Sequence, residues 1–223
     1  MKASMRVFLY NLMRRNRIDD AAPVRVAHSV YDRWAAWDWH RRGEPAPPPY
    51  ALKRKTLVEY ARRFGLRTFV ETGTCYGDTV FAVRSRFDRI ISIELDHALH
   101  EAAKERLKRY EHIILLEGDS GALIAGVLAQ ISEPTLFWLD AHYSGGITAR
   151  GALDSPISFE LDAIIKHPIR NHVILIDDAR EFIGDSGYPE LTQLRESVVA
   201  RRTDLTFEMR NDIIRIHQGN RAP

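Results

Sequence analysis

At 223 residues the chain is long enough for one α/β domain with a full hydrophobic core plus a modest extra segment, but short for two independent domains. Lys and Arg total 32 against 30 Asp and Glu, and the net charge of +2 gives no general reason to expect a nucleic-acid partner. The single cysteine, Cys75, excludes an intrachain disulfide and suits a reducing compartment, with the cytoplasm as the default.

The chain opens on MKASMRVFLYNLMR, a lysine followed by a short apolar run. Arg6 and Asn11 break the run, no small-residue cleavage site follows, and no stretch approaches the roughly 18 apolar residues of a membrane span. Met5, Val7, Phe8, Leu9, Leu12 and Met13 can form one face of a short helix, packed against the domain or a second subunit, or laid on a membrane surface. Such an appendage also fits a homodimer. Residues 41–49 (RRGEPAPPP) form a stiff connector that cannot continue a helix, so residues 1–49 read as an accessory segment and 50–223 as the main domain. Trp34, Trp37 and Trp39 lie in the accessory part, suited either to core packing or to stacking on sugar faces. Residues 50–64 then read as a helix, with Gly65 as its stop.

From there the pattern alternates. Apolar runs at 67–71 (RTFVE), 90–94 (IISIE), 113–116 (IILL), 136–140 (LFWLD) and 173–177 (VILID) read as buried parallel strands. Helical crossovers are available at 78–86, 97–110, 120–131, 157–167 and 189–201. The chain closes on two short strands, 206–210 and 213–217, joined by a tight Asn211-Asp212 turn. A parallel sheet ending in a hairpin contains one antiparallel strand.

The stretch 71–79 (ETGTCYGDT) joins the first strand to the helix at Asp78. A Gly-containing turn into a helix start offers unpaired N–H groups and a positive dipole end. Gly73 and Gly77 supply the turn, with Thr72, Asp78 and Thr79 around them, but the spacing is not G-x-G-x-x-G. Glu71 would repel a pyrophosphate and accept bonds from an ammonium, so an amino-acid-bearing cofactor fits better than a dinucleotide. Glu94 ends the second strand, placed for a ribose diol, and Gly118-Asp119-Ser120 follows the third, where a carboxylate can accept from an adenine amino group. Singly, Glu94 also suits a solvated strand-end carboxylate and Asp119 a helix N-cap. Capping alone does not readily put acidic residues at the ends of successive strands on one sheet edge.

With these features the sequence resembles the class I S-adenosylmethionine-dependent methyltransferases over residues 67–217. The resemblance implies a Rossmann-like three-layer sandwich with a seven-stranded, mostly parallel sheet in order 3-2-1-4-5-7-6, strand seven antiparallel. It implies Glu71 and Gly73 near the methionine end of S-adenosylmethionine, Glu94 on the ribose and Asp119 near adenine.

Strand four ends in LDAHYSGG and strand five in IDDAR. Adjacent strands lie about 4.8 Å apart, which would set Asp140 opposite Asp177, with Asp178 beside them. At an effective dielectric near 20, two like charges about 4 Å apart cost on the order of 4 kcal/mol, which calls for a proton or a cation. All-oxygen donors favour Mg²⁺, with Mn²⁺ or Ca²⁺ as alternatives. The pattern is similar to that of metal-dependent O-methyltransferases of the catechol and macrolide-sugar groups, and that similarity implies Asp140, Asp177 and Asp178 as ligands. Asp140 has a competing role, contact with the cofactor amine. The lysine base of the catechol group has no counterpart here, so His142 is the candidate general base, against a bland role as a backbone-bonded loop histidine. Residues 141–156, rich in Gly and polar side chains, read as a lid over a polar acceptor.

The expected function is therefore O-methylation of a hydroxylated small molecule or glycan. An N-P-P-Y-like signature for nitrogen methylation does not follow strand four. Two alternatives remain: an NAD(P)-dependent oxidoreductase, disfavoured by the missing third glycine and the hairpin, and a non-catalytic cofactor-binding module.

Overall fold

A computed structural model of the chain describes residues 22–140, 156–185 and 187–219. The chain divides into two compact units, Met1–Lys53 and Arg54–Pro223. In the first, α1 (Ala22–Arg41) carries Pro23 in its opening turn, where a missing N–H costs nothing. Trp39 is buried and its indole Nε1 donates to the Pro45 carbonyl at 2.6 Å, so the helix end is pinned to the Pro-rich connector. Trp34 and Trp37 are exposed, so of the three tryptophans only Trp39 has a core role. The sequence marks no long helix here; α1 is an addition to the reading. The expected short helix near Met5–Met13 lies outside the described residues. Among the described residues no helix is long and apolar enough to cross a membrane.

The second helix, α2 (Tyr50–Arg63), runs into this larger unit and stops at Gly65, which takes a left-handed φ of 65° while Leu66 N–H bonds the Ala61 carbonyl at 2.9 Å. Then follow β1 (Thr68–Thr72), α3 (Asp78–Val83), β2 (Arg89–Glu94), α4 (His97–Leu107), β3 (Ile113–Glu117), α5 (Ser120–Leu128) and β4 (Thr135–Leu139). After residues 141–155 come α6 (Ile157–Lys166), β5 (Val173–Ile176), a 3₁₀ turn (Ala179–Glu181), α7 (Leu191–Arg201), β6 (Leu205–Arg210) and β7 (Ile213–Gln218). The seven strands form one sheet in order β3-β2-β1-β4-β5-β7-β6, parallel from β3 to β5, with β7 antiparallel to both neighbours. The expected order holds. Several helices stop short of the sequence expectation, α3 at Val83 rather than residue 86 and α4 at Leu107 rather than residue 110, where the chain leaves the helix in turns closed by Arg86 N–H on the Val83 carbonyl at 2.8 Å and Tyr110 N–H on the Leu107 carbonyl at 2.9 Å.

Strand alternation builds the two cores. In β4 Leu136 and Trp138 pack on one face with Phe69, Leu57, Val80 and Leu107, beneath α2, α3 and α4. Phe137 and Leu139 turn the other way and pack with Val70, Ile124, Leu161 and Val198, beneath α5, α6 and α7. Both faces are covered, so the central strands are apolar at nearly every position. The same alternation places Glu71 on the α3 side of β1, and Thr72 on the α5–α6 side.

Gly77 is the N-cap of α3, with a φ of 73°, and a Cβ there would meet Leu107 Cδ1 at 2.9 Å. Gly77→Ala is therefore expected to destabilise the fold by about 1–3 kcal/mol, since left-handed strain adds to a clash with a core leucine. Urea unfolding measures this; a loss below a few tenths of a kcal/mol would show that the turn relaxes freely.

Candidate functional site

All the strand-end carboxylates named in the sequence lie along the carboxyl edge of the parallel strands, where ligands bind in open α/β sheets. At its centre is the loop after β1. Gly73 and Thr74 donate their N–H groups to the Ile93 carbonyl at 2.9 and 3.1 Å, and Gly77 N–H closes a turn on the Thr74 carbonyl at 2.8 Å. Gly73 has a φ of 86°, Cys75 one of 50° and Gly77 one of 73°, so the loop adopts a positive φ three times, once at a non-glycine residue.

Glu71 is fully buried. Ser92 Oγ donates to its Oε2 at 2.6 Å and Thr74 shares a hydrogen bond with the same Ser92 hydroxyl at 2.6 Å. Burial pushes the Glu71 pKa up to about 8; the bond from Ser92 pulls it down, the charge of Asp140 raises it, Thr79 lowers it and Glu94 raises it. The carboxyl is thus held where an arriving ammonium could ionise it.

Glu94 is not a solvated strand end. It is buried, its Oε2 accepts Cys75 N–H at 2.6 Å and its Oε1 accepts Asp96 N–H at 2.9 Å. A carboxylate has about four acceptor sites, so two remain for a diol. Asp119 caps α5, its Oδ1 taking the Gly121 N–H at 2.8 Å, so the capping reading holds and any adenine contact falls to the rest of the carboxylate. Asp78 pairs with Arg106 at 2.6 Å, and the same guanidinium nitrogen bonds the Tyr76 carbonyl at 2.9 Å. Its carboxylate thereby braces the loop.

Sequence reasoning missed Glu160. It sits on the first turn of α6, fully buried, beside the hydroxyls of Ser120 and Thr72 on the opposite face of β1 from Glu71. Burial pushes its pKa up to about 7, the two hydroxyls draw it down and Asp119 raises it; these contacts fall short of full hydrogen-bond geometry. The signal was available: Glu160 occupies the apolar stripe of Ile157, Leu161 and Ile164.

Across the edge, Asp140 follows β4 and bonds the Thr72 carbonyl through its N–H at 3.0 Å, while Asp177 follows β5 and bonds the Leu139 carbonyl at 3.1 Å. One carboxylate oxygen from each of Asp140, Asp177 and Asp178 lies within 4.8 Å of the others. Asp177 and Asp178 are buried, and Asp178 holds a left-handed φ of 52°. The donor set of three carboxylates suits a hard divalent cation. A guanidinium already shares it: Arg180 Nη1 reaches Asp178 at 2.8 Å and also pairs with Asp212, in the two-residue turn between β6 and β7. Arg180 N–H bonds Asp212 Oδ1 at 2.8 Å, so the terminal hairpin is tied directly to the candidate metal loop. Neither Arg180 nor Asp212 carries a motif that would reveal this. His142 lies outside the described residues, as does the rest of 141–155.

Sheet order, cofactor-type loop and strand-end acids together define the class I S-adenosylmethionine-dependent methyltransferase fold, as the sequence resemblance implied. The chain superposes on the O-methyltransferase TomG of Streptomyces achromogenes, in complex with S-adenosylmethionine, with a TM-score of 0.57 at 17% identity, over 84% of this chain and 89% of that one. An O-methyltransferase from Bacillus cereus, bound to S-adenosylhomocysteine, gives 0.58 at 14% identity over 91% and 96% of the two chains. A Podospora anserina methyltransferase gives 0.54 at 16% over 90% and 97%. No family model matches the chain. Among curated proteins, ribosomal RNA small subunit methyltransferase A of Acidobacterium capsulatum is 33% identical over 82 residues, which span 37% of this chain and only 29% of that protein.

Proposed function

We propose that this chain is an S-adenosylmethionine-dependent O-methyltransferase acting on a hydroxylated small molecule or sugar with divalent-metal assistance, residues 50–223 forming the catalytic domain and 1–49 an accessory segment. The observation that carries the reading is the convergence of Asp140, Asp177 and Asp178 within 4.8 Å on the sheet edge that also holds Glu71 and Glu94.

In this reading Glu71, Thr72, Gly73, Gly77 and Thr79 hold the methionine end of the cofactor, Glu94 its ribose, and Asp119 and Ser120 its adenine. Asp78 contributes by bracing that loop through its carboxylate's pair with Arg106. Asp140, Asp177 and Asp178 would hold Mg²⁺, Mn²⁺ or Ca²⁺. When bound, the cofactor supplies an electrophilic methyl group and the metal a Lewis acid that lowers the pKa of an acceptor hydroxyl. The chain's own part is to orient: the acids fix the acceptor oxygen relative to the cofactor loop, and His142 accepts the hydroxyl proton. The partial match to a ribosomal RNA methyltransferase favours a second acceptor class, RNA, against which stands the lack of an N-P-P-Y-like signature.

Incubation with methyl-labelled S-adenosylmethionine, Mg²⁺ and panels of catechols, sugars and short RNAs tests the proposal. Label transfer to a hydroxyl, abolished by EDTA and restored by Mg²⁺, is expected. Full activity in EDTA would remove the metal from the scheme. A thermal shift with NADPH and none with S-adenosylhomocysteine would favour the oxidoreductase reading, and cofactor binding without turnover on any acceptor the non-catalytic one.

A further inference from the structure

A second convergence of ligating groups lies toward the β3 end of the same carboxyl edge, between the start of α4 and the end of β3. His97, His100 and Glu101 stand at positions i, i+3 and i+4 of α4 and so share one helix face. Glu117, the last residue of edge strand β3, faces them. One ligand atom from each of His100, Glu101 and Glu117 lies within 4.8 Å of the others.

His100 is the informative residue. Its side chain is only 7% exposed, yet neither ring nitrogen has a hydrogen-bond partner among the described residues. Its Nδ1 instead lies 3.4 Å from Glu101 Oε1 and 3.4 Å from Glu117 Oε2. At 3.4 Å this spacing is within ion-pair range but longer than the roughly 2.7–2.9 Å of a charge-assisted hydrogen bond. It matches a different geometry: around zinc bonded to nitrogen and oxygen at about 2.0–2.1 Å, tetrahedral ligands stand roughly 3.3–3.4 Å apart. Two equal separations from one buried nitrogen are compatible with a shared central ion.

We propose that His100, Glu101 and Glu117 form a binding site for a divalent transition ion of the zinc class, with His97 as a positioning residue for Glu117. His97 Nδ1 holds Glu117 Oε1 at 2.9 Å while the other oxygen of that carboxylate faces His100. This is the outer hydrogen bond that orients a metal-binding carboxylate. The flanks of the site, Glu101, Glu117 and His97, are exposed enough for an ion to enter and for water to complete the coordination. Lys104 shares Glu101 at 3.0 Å and would have to give way. The donor set of imidazole plus carboxylates separates this site from the all-carboxylate group at Asp140, which suits harder ions. Because His100 and Glu101 lie on α4 and Glu117 ends β3, a bound ion would clamp the start of α4 to the end of β3.

The test is Zn²⁺ binding to the full chain, stripped with EDTA and titrated against a chromophoric chelator. One zinc per chain is expected in the wild type, with affinity reduced at least about tenfold in E117Q and E101Q and about 10–100-fold in H97A. D177N, altering the carboxylate group elsewhere, is expected to leave this affinity unchanged. Circular dichroism confirms that each variant is folded, and the exposed positions of Glu101, Glu117 and His97 make that the expected outcome, so nothing rests on replacing buried His100. No saturable zinc uptake by the wild type, or isotherms that superpose for wild type, E117Q and H97A, would overturn the site. Loss of zinc binding in D177N but not in E117Q would assign the ion to the other group and overturn it equally.

Discussion

Replacing Asp177 with Asn is expected to reduce methyl transfer by at least about 100-fold while leaving S-adenosylhomocysteine affinity within about twofold of the wild type. The split follows from position. Asp177 follows β5, on the acceptor side, whereas the cofactor loop hangs from β1 and is braced by Ser92, Arg106 and Glu94. Its effect on stability should have the opposite sign. Carboxylate oxygens up to 4.8 Å apart repel, by Coulomb's law at an effective dielectric near 20, with on the order of 3 kcal/mol per pair before any compensation. Arg180 offsets part of that through Asp178. In EDTA, D177N should therefore melt at or above the wild-type temperature. Calorimetric titration, turnover assays and thermal melts read the three quantities. A variant that keeps activity, or that loses activity only because it unfolds, would remove Asp177 from the acceptor site.

The second large effect is on pH. With its pKa pushed up to about 8 by burial, Glu71 is mostly protonated in the cofactor-free fold at pH 6–7. Holding an ammonium requires the carboxylate, so cofactor binding should expel a proton. Between the lowered pKa of the complex and about 8, observed affinity should then rise by up to about tenfold per pH unit and level off above it. Titration in two buffers of different ionisation enthalpy detects the released proton directly. E71Q should flatten the profile and show its largest loss of affinity near pH 8. The linkage to stability runs the other way in the cofactor-free chain. A carboxyl whose folded pKa lies above its unfolded value of 4.5 contributes most below 4.5, and that contribution is lost as pH rises toward 8. His172 works at the acid end: burial, with the nearby His167 and Arg202, lowers it to about 4, so its contribution is present above 6.5 and declines as pH falls toward 4. A flat affinity profile with no proton release at pH 6.5 would rule out Glu71 as the group that receives the ammonium.

The parallel strands were readable because burial on both faces leaves an almost continuous apolar run, with Gly73 and Gly77 marking the chain reversal after β1. The same runs end in acids, so Glu71, Glu94, Asp140 and Asp177 could be placed on the carboxyl edge by position alone. What could not be read depends on contacts between distant segments. Asp212 reaches Arg180 because β7 pairs antiparallel with β5 in one particular register, Ile176 opposite Ile214, and no local pattern encodes that register. Asp78 looked like a ligand contact because of the loop it occupies, and only the packing of α4 brings Arg106 to it. Ser92 and Glu160 gave fainter signs, each a polar residue in an apolar period.

Arg180 changes what the three-acid group means for the rest of the molecule. A carboxylate cluster with no built-in counter-charge makes a fold dependent on the ion supply of its surroundings. Here a guanidinium carried on the adjacent 3₁₀ turn, and anchored to a turn some 32 residues further along the chain, serves as a tethered counterion. The proposed ion would have to compete with an arginine for Asp178, and the acid group would not depend on that ion alone for its counter-charge. Affinity for such an ion would then be set partly by how readily the hairpin turn retains the arginine.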